Sequence, residues 1–257
     1  MKEHRHRTPA VWQPEWIAAL AQCRHKRLVV VDLDGTVWDD LLVVLNEQFG
    51  PVDAAGEKVW RQYDRAFKID GTMTNGAHLE AEYRDLLTAS TLTEIVAWLK
   101  VNHRLVPGIH DFIKLLDDHG VSIIAVSNGA YQIADEMFAH HGIPMPRVCN
   151  SLNMSGDTFN ALDFFHDEHE GIRKGDLVAM AVELGYEVIA CAGDSKGDLS
   201  LATDTAKVGG LVIAVNKNGL SAWCEANQDK VGGPDGWIAI SDYAEAVPAL
   251  TSRLQAK

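Results

Sequence analysis

Leu28-Val29-Val30-Val31-Asp32-Leu33-Asp34-Gly35-Thr36 is the stretch from which the fold of this chain is read. Four apolar residues, three of them β-branched, give the pattern of a strand buried on both faces, and the run ends on two carboxylates one residue apart. Gly35 lets the chain turn away directly afterwards. Asp32 and Asp34 are therefore expected at the carboxyl end of a sheet, the edge at which open α/β sheets bind their ligands. Two acidic groups so placed can divide labour, one ionised as nucleophile and metal ligand, the other exchanging a proton with a leaving group. A strand ending in an Asx-type turn with solvated carboxylates is the competing reading of this stretch alone.

Upstream, Val11, Trp12, Trp16, Ile17 and Leu20 recur at roughly helical spacing and predict a docked helix within 9–25 that has no catalytic part. Downstream, from Trp38 to Arg104, apolar residues again fall three and four apart: Leu41, Leu45 and Phe49, then Val59, Tyr63 and Phe67, then Leu79, Tyr83 and Leu86, then Ile95 and Leu99. Gly50-Pro51, Gly71 and Asn75-Gly76 punctuate them. The expectation is an all-helical insertion of about four helices outside the sheet, which makes 1–38 and 105–257 an α/β core domain and 39–104 a helical cap domain. After Val106-Pro107-Gly108, strand patterns at 121–126, 147–150, 187–192, 211–215 and 237–240 alternate with helical ones, with a hairpin over 151–165 that turns at 153–157. That alternation predicts a Rossmann-like, doubly wound parallel sheet covered on both faces.

At 257 residues and 47% apolar content the chain can bury a full core and an accessory domain. Its net charge of -13 repels nucleic acid and acidic lipid, and would repel a phosphorylated substrate too unless cations offset it locally. No apolar run approaches the length of a bilayer span, so neither nucleic acid nor membrane is an expected partner. The basic opening, with Lys2, Arg5 and Arg7, is too short and polar for a signal peptide and reads as a solvated terminus. Cys23, Cys149, Cys191 and Cys224 form no C-x-x-C pair and read as reduced thiols of a cytoplasmic protein. His166 and His169, in the acidic run 163–170, have no partner at ligand spacing and read as a solvated face.

What stands at the predicted strand ends carries the chemistry. The first strand offers Asp32 and Asp34, the second Ser127, and the fourth Asp194 with Asp198 a helical turn later; Lys174 opens a helix between the second and fourth. Right-handed crossovers bring these ends to one edge. Three carboxylates in one place repel one another unless a cation sits among them, and oxygen ligands without His or Cys indicate a hard ion such as Mg²⁺. Lys174 and the Ser127 hydroxyl suit phosphate oxygens. Plainer roles exist for each: Lys174 and Arg173 as surface cations, Ser127 as a helix cap, Asp198 as a carboxylate at a helix N-terminus. Arg173 is assigned to solvent.

Asp-Leu-Asp-Gly-Thr at 32–36, Ser-Asn-Gly at 127–129, Lys174, and Gly-Asp-Ser-Lys-Gly-Asp at 193–198, each after its strand or at its helix start, resemble the four motifs of the haloacid dehalogenase superfamily of phosphotransferases. The likeness covers about residues 28 to 215, and a helical insertion right after the first motif is similar to that of the phosphoserine-phosphatase-like branch. It implies a Mg²⁺-dependent phosphatase acting on a small phosphorylated metabolite, as a monomer or homodimer. Asp32 would be the nucleophile that becomes an aspartyl-phosphate, and Asp34 the acid and then the base. Asp32, the Asp34 carbonyl and Asp194 would hold the metal, with Asp198 in support. Ser127, Asn128 and Lys174 would bind the phosphoryl group. Transfer to a second alcohol, or a non-catalytic binding role on the same fold, are the other classes that remain open.

The likeness also breaks at one place. Phosphoserine phosphatases carry a Glu nine residues after the nucleophile for the substrate amine, where this chain has Leu41, and a cap Arg for the carboxylate, near which lies Arg84. An apolar group there would leave an amine unpaired, so phosphoserine is not expected as the main substrate. Asp39, Asp40, Tyr63, Arg65, Lys68 and Arg84 are the candidate cap contacts.

Overall fold

β1 (Arg27–Val31) lies at the centre of a seven-stranded sheet. A computed structural model describes residues 9–163, 171–216 and 219–255. In chain order the elements are α1 (Pro9–Ala21), β1, α2 (Leu41–Phe49), α3 (Trp60–Lys68), α4 (Asn75–Ala89), α5 (Leu92–Asn102), α6 (Ile109–Asp118), β2 (Val121–Ala130), α7 (Tyr131–His141), β3 (Arg147–Ser155) and β4 (Thr158–Asp163). There follow α8 (Gly175–Glu183), β5 (Glu187–Gly193), α9 (Leu199–Lys207), β6 (Leu211–Val215), α10 (Gly219–Ala226), β7 (Trp237–Ile240) and α11 (Val247–Gln255). The strands stand in the order β4-β3-β2-β1-β5-β6-β7, all neighbours parallel except the β3–β4 hairpin at one edge.

The period of two along β1 builds both layers. Val29 and Val31 point into one apolar cluster with α6, α7 and α11, while Leu28 and Val30 point into a second with α1, α8, α9 and α10. All four are fully buried, each contributing on the order of 1.5–3 kcal/mol relative to exposure. Because β1 pairs with β2 on one side and β5 on the other, successive strands lead away from it in opposite directions, and the crevice at such a switch point opens at its carboxyl end. The register fixes what flanks that crevice. Val31 is paired with Ala125 and Ala192, so two residues on stand Ser127 and Asp194, on either side of Asp32.

Four helices fill 41–102 outside the sheet, as the spacing predicts. Leu41 and Leu45, Tyr83 and Leu86, and Ile95 and Leu99 join the same apolar cluster as Val29 and Val31, whereas α3 buries no side chain. The insertion thus shares its core with one face of the sheet. Several boundaries differ from expectation. The Asn75-Gly76 break falls inside α4, because Thr74 caps that helix and its hydroxyl accepts the Ala77 N–H at 3.2 Å. β2 runs on through Ser127-Asn128-Gly129, and β3 continues unbroken into the hairpin, which turns at Gly156 and Asp157. Of the N-terminal stripe, Trp16 and Leu20 are buried and Ile17 is exposed. His166 and His169 lie outside the described residues. No helix among the described residues is long and apolar enough to cross a membrane, and the four cysteines are free.

Candidate active site

Asp32 leaves β1 with its N–H donated to the Ala192 carbonyl at 2.9 Å, which fixes the carboxylate at the mouth of the crevice, 4% exposed. Lys174, just before α8, reaches the same point: its Nζ lies 2.7 Å from Asp32 Oδ1 and 2.6 Å from Asp198 Oδ1. Asp198, fully buried, accepts the N–H groups of Asp194 and Ser195 on its other oxygen, both at 3.0 Å. One oxygen each of Asp32, Asp194 and Asp198 fall within 4.8 Å of one another. Asp32 and Asp194 do meet.

Three carboxylates meet here, and Lys174 is bonded to two of them, Asp32 and Asp198. Burial first, then Asp198, push Asp32 well above the ordinary carboxylate range against the pull of Lys174, and Asp194 adds to the shift. Burial opposes the charge on Lys174, but Asp198 and Asp32 outweigh it and hold its pKa above the usual lysine value. The donors are hard oxygens, so the set fits a hard divalent cation. Gly35 fits it as well. With φ at 76° it turns the loop against Asp194, where an added Cβ would lie 2.4 Å from Asp194 Oδ2, and Asn216 Nδ2 holds the Gly35 carbonyl at 2.8 Å.

Asp34 is half-buried, and its Oδ1 accepts the indole N–H of Trp38 at 2.8 Å. Its Oδ2 faces the second strand: a Cβ on Gly129 would sit 3.1 Å from Asp34 Oδ2 and 3.2 Å from Ser127 Oγ. Burial, then Asp40, push Asp34 up to about 7, with Trp38 pulling the other way. Ser127 is buried and its Oγ accepts the Gly129 N–H at 3.0 Å, so it shapes its own turn and caps no helix.

The other sequence candidates lie as follows. The Asn128 side chain is committed elsewhere: its Oδ1 accepts the Ile172 N–H at 2.7 Å, bracing the segment that leads to Lys174, while Asn150 Nδ2 donates to its carbonyl at 2.7 Å. Arg173 is not given over to solvent alone: its half-buried side chain bonds Asp176 and reaches Asp204 at 2.8 Å, tying the start of α8 to α9. Arg84 is exposed and pairs with Glu80 on the outer side of α4. Neighbours on a helix are about 100° apart, and it is Tyr83 that turns inward. The Tyr83 hydroxyl accepts the Ala130 N–H at 3.0 Å, a link from the insertion to the turn after Ser127 that the apolar spacing of Tyr83 gave no means of seeing. Tyr63 donates to Asp85 at 2.9 Å, Arg65 lies 3.7 Å from Asp70, and Lys68 lies 2.5 Å from Asp64. Asp39 is exposed, and Asp40 caps α2 by accepting the Val43 N–H at 3.2 Å.

This sheet order, with helices inserted after the first strand, is a fold that the chain shares with solved phosphoserine phosphatases and a HAD family hydrolase. A substrate-bound phosphoserine phosphatase superposes with a TM-score of 0.60 at 17% identity, over 88% of this chain and 98% of that one. The phospho-aspartyl intermediate analogue of phosphoserine phosphatase gives 0.58 at 17% identity, over 88% and 99%. A HAD family hydrolase from Salmonella enterica subsp. enterica serovar Typhi gives 0.59 at 13% identity, over 84% and 75%. At these identities the likeness is one of fold. No family model matches the sequence, and no curated protein does.

Proposed function

We propose that the chain is a Mg²⁺-dependent phosphatase that hydrolyses small phosphorylated metabolites through an aspartyl-phosphate on Asp32. The observation that carries this reading is the junction of Asp32, Lys174 and Asp194 at the carboxyl end of the central strand. Lys174 is bonded to Asp32 through Oδ1, which leaves Oδ2 to attack phosphorus. As the new O–P bond forms and the bond to the leaving oxygen breaks, Asp34 gives its proton to that oxygen; it then takes one from the water that cleaves the aspartyl-phosphate. Asp32, the Asp34 carbonyl and Asp194 would hold Mg²⁺, which when bound neutralises charge on the nucleophile and the phosphoryl group. Ser127 and Lys174 bind phosphoryl oxygens, with residues 39–104 acting as a cap over the leaving group. Hydrolysis of p-nitrophenyl phosphate that requires Mg²⁺ and is lost on chelation is the expected result; a purified protein inactive toward all phosphomonoesters would overturn the reading.

Gly129 keeps open the space between Asp34 Oδ2 and Ser127 Oγ. Gly129→Ala is expected to lower kcat by about ten- to a hundredfold by displacing either group, with little change in melting temperature. Wild-type turnover in this variant would place the leaving group elsewhere.

Leu41 is 4% exposed and packed in the core at the first turn of α2, so it offers a substrate amine nothing. In a panel of small phosphomonoesters, phosphoserine is accordingly expected to rank below esters that lack the amine. A clear preference for it would refute this point.

A further inference from the structure

On the phosphatase reading above, we infer that Trp38 is a positioning residue for proton transfer: its indole N–H holds Asp34 Oδ1 and so keeps Asp34 Oδ2 as the oxygen that meets the leaving group. An indole N–H donates and cannot accept, so the oxygen 2.8 Å from it must face it with a lone pair. The carbonyl oxygen of a carboxylic acid is a better acceptor than its hydroxyl, so when Asp34 is protonated this contact favours the proton on Oδ2. That oxygen is the one beside Gly129 and Ser127, where the phosphoryl group and its leaving oxygen would lie. Transfer of that proton to the leaving oxygen leaves a carboxylate whose Oδ1 still accepts from the indole, and the same Oδ2 then takes the proton of the attacking water.

The ring that makes this contact is held in place. Trp38 is 1% exposed, with its ring 5.8 Å from that of His103 at 67° and 5.2 Å from that of Phe138 at 49°. Its backbone is bridged to Leu105, and the next residue, Asp39, donates its N–H to the Arg104 carbonyl at 3.1 Å and accepts from His103 Nε2 at 3.0 Å. Trp38 therefore stands where the two connections to the helical insertion are paired, and it transmits that rigidity to one oxygen of Asp34. A Phe at this position would fill most of the space and contribute no donor, leaving the carboxyl free to rotate.

The test separates this role from general damage by varying how much the leaving group needs a proton. With phenyl, p-nitrophenyl and 2,4-dinitrophenyl phosphates, kcat/KM reports the step that phosphorylates Asp32. Trp38→Phe is expected to lose about ten- to a hundredfold on phenyl phosphate and less than about threefold on 2,4-dinitrophenyl phosphate, whose phenolate departs without a proton. Should the Phe variant fail to fold, β-(3-benzothienyl)alanine at position 38, with sulfur in place of N–H and nearly the same shape, is expected to give the same gradient. A uniform loss across the three esters, or no loss, would overturn the role of Trp38 while leaving the phosphatase reading intact. A wild-type protein that turns over none of them would overturn both.

Discussion

Asp32→Asn is expected to abolish Mg²⁺-dependent hydrolysis of p-nitrophenyl phosphate, by about 10⁴- to 10⁶-fold, without loss of stability. The amide cannot form the acyl phosphate, and Asp198 cannot stand in for it: it is fully buried and bonded to Lys174 and two main-chain N–H groups. Stability behaves differently because Asp32 is crowded by like groups in the wild type. At 4.8 Å two like charges repel by roughly 3 kcal/mol at an effective dielectric constant of about 20, and Asp32 faces both Asp194 and Asp198 at or within that separation. Lys174 offsets part of this and, in the variant, keeps Asp198 at 2.6 Å and the amide oxygen of residue 32. Without Mg²⁺, the melting temperature of the variant should therefore equal or exceed that of the wild type. An active variant would remove Asp32 from the chemistry; an inactive but strongly destabilised one would mean that the carboxylate is chiefly structural.

The fold was legible because a few residues dictate it. Leu28 to Val31, 123–126 and 188–192 are apolar runs of strand length, and each ends where a polar motif begins. With alternating helices, such runs admit few topologies other than a parallel sheet, and the parallel register then carries Ser127 and Asp194 to either side of Asp32. The acidic cluster could be read for the same reason: Asp32 and Asp194 stand at strand ends and Asp198 four residues further on. Residues that act through a side-chain contact across the fold could not. Trp38 looks in sequence like one more core aromatic, and only coordinates reveal that its N–H meets Asp34. Arg84 is the candidate that the likeness to phosphoserine phosphatases offers, but rotation along α4 decides which side chain turns inward, and spacing does not fix that rotation to one residue. Arg173 was given to solvent because its neighbour held the role; its partner Asp204 is thirty-one residues away, too distant for any local pattern to disclose.

Lys174→Met should be the most destabilising change at the site as well as an inactivating one. Lys174 is 4% exposed and bonded to both Asp32 and Asp198; methionine fills its stem and leaves those carboxylates buried without it. Removing one partner of a buried ion pair typically costs about 3–5 kcal/mol, which for a chain of this size is roughly 6–20 °C in melting temperature. The loss should depend on pH in a definite direction. Asp32 already has its folded pKa raised, by burial and then by Asp198, and losing Lys174 raises it further. A carboxyl whose folded pKa is raised contributes stability that is present below its unfolded value, about 3.9, and lost as pH rises toward the folded one. In the wild type, Lys174 stays charged across this range, its own pKa being raised, and its pull keeps Asp32 ionised to lower pH than in the variant. Urea denaturation in the absence of Mg²⁺ should then show a smaller gap between wild type and variant at pH 5 than at pH 8. Turnover should fall by at least about a hundredfold at either pH, because both the nucleophile and the phosphoryl oxygens lose their cation. A gap that is negligible, or that widens on acidification, would mean that the carboxylates around Lys174 are balanced by something other than its charge.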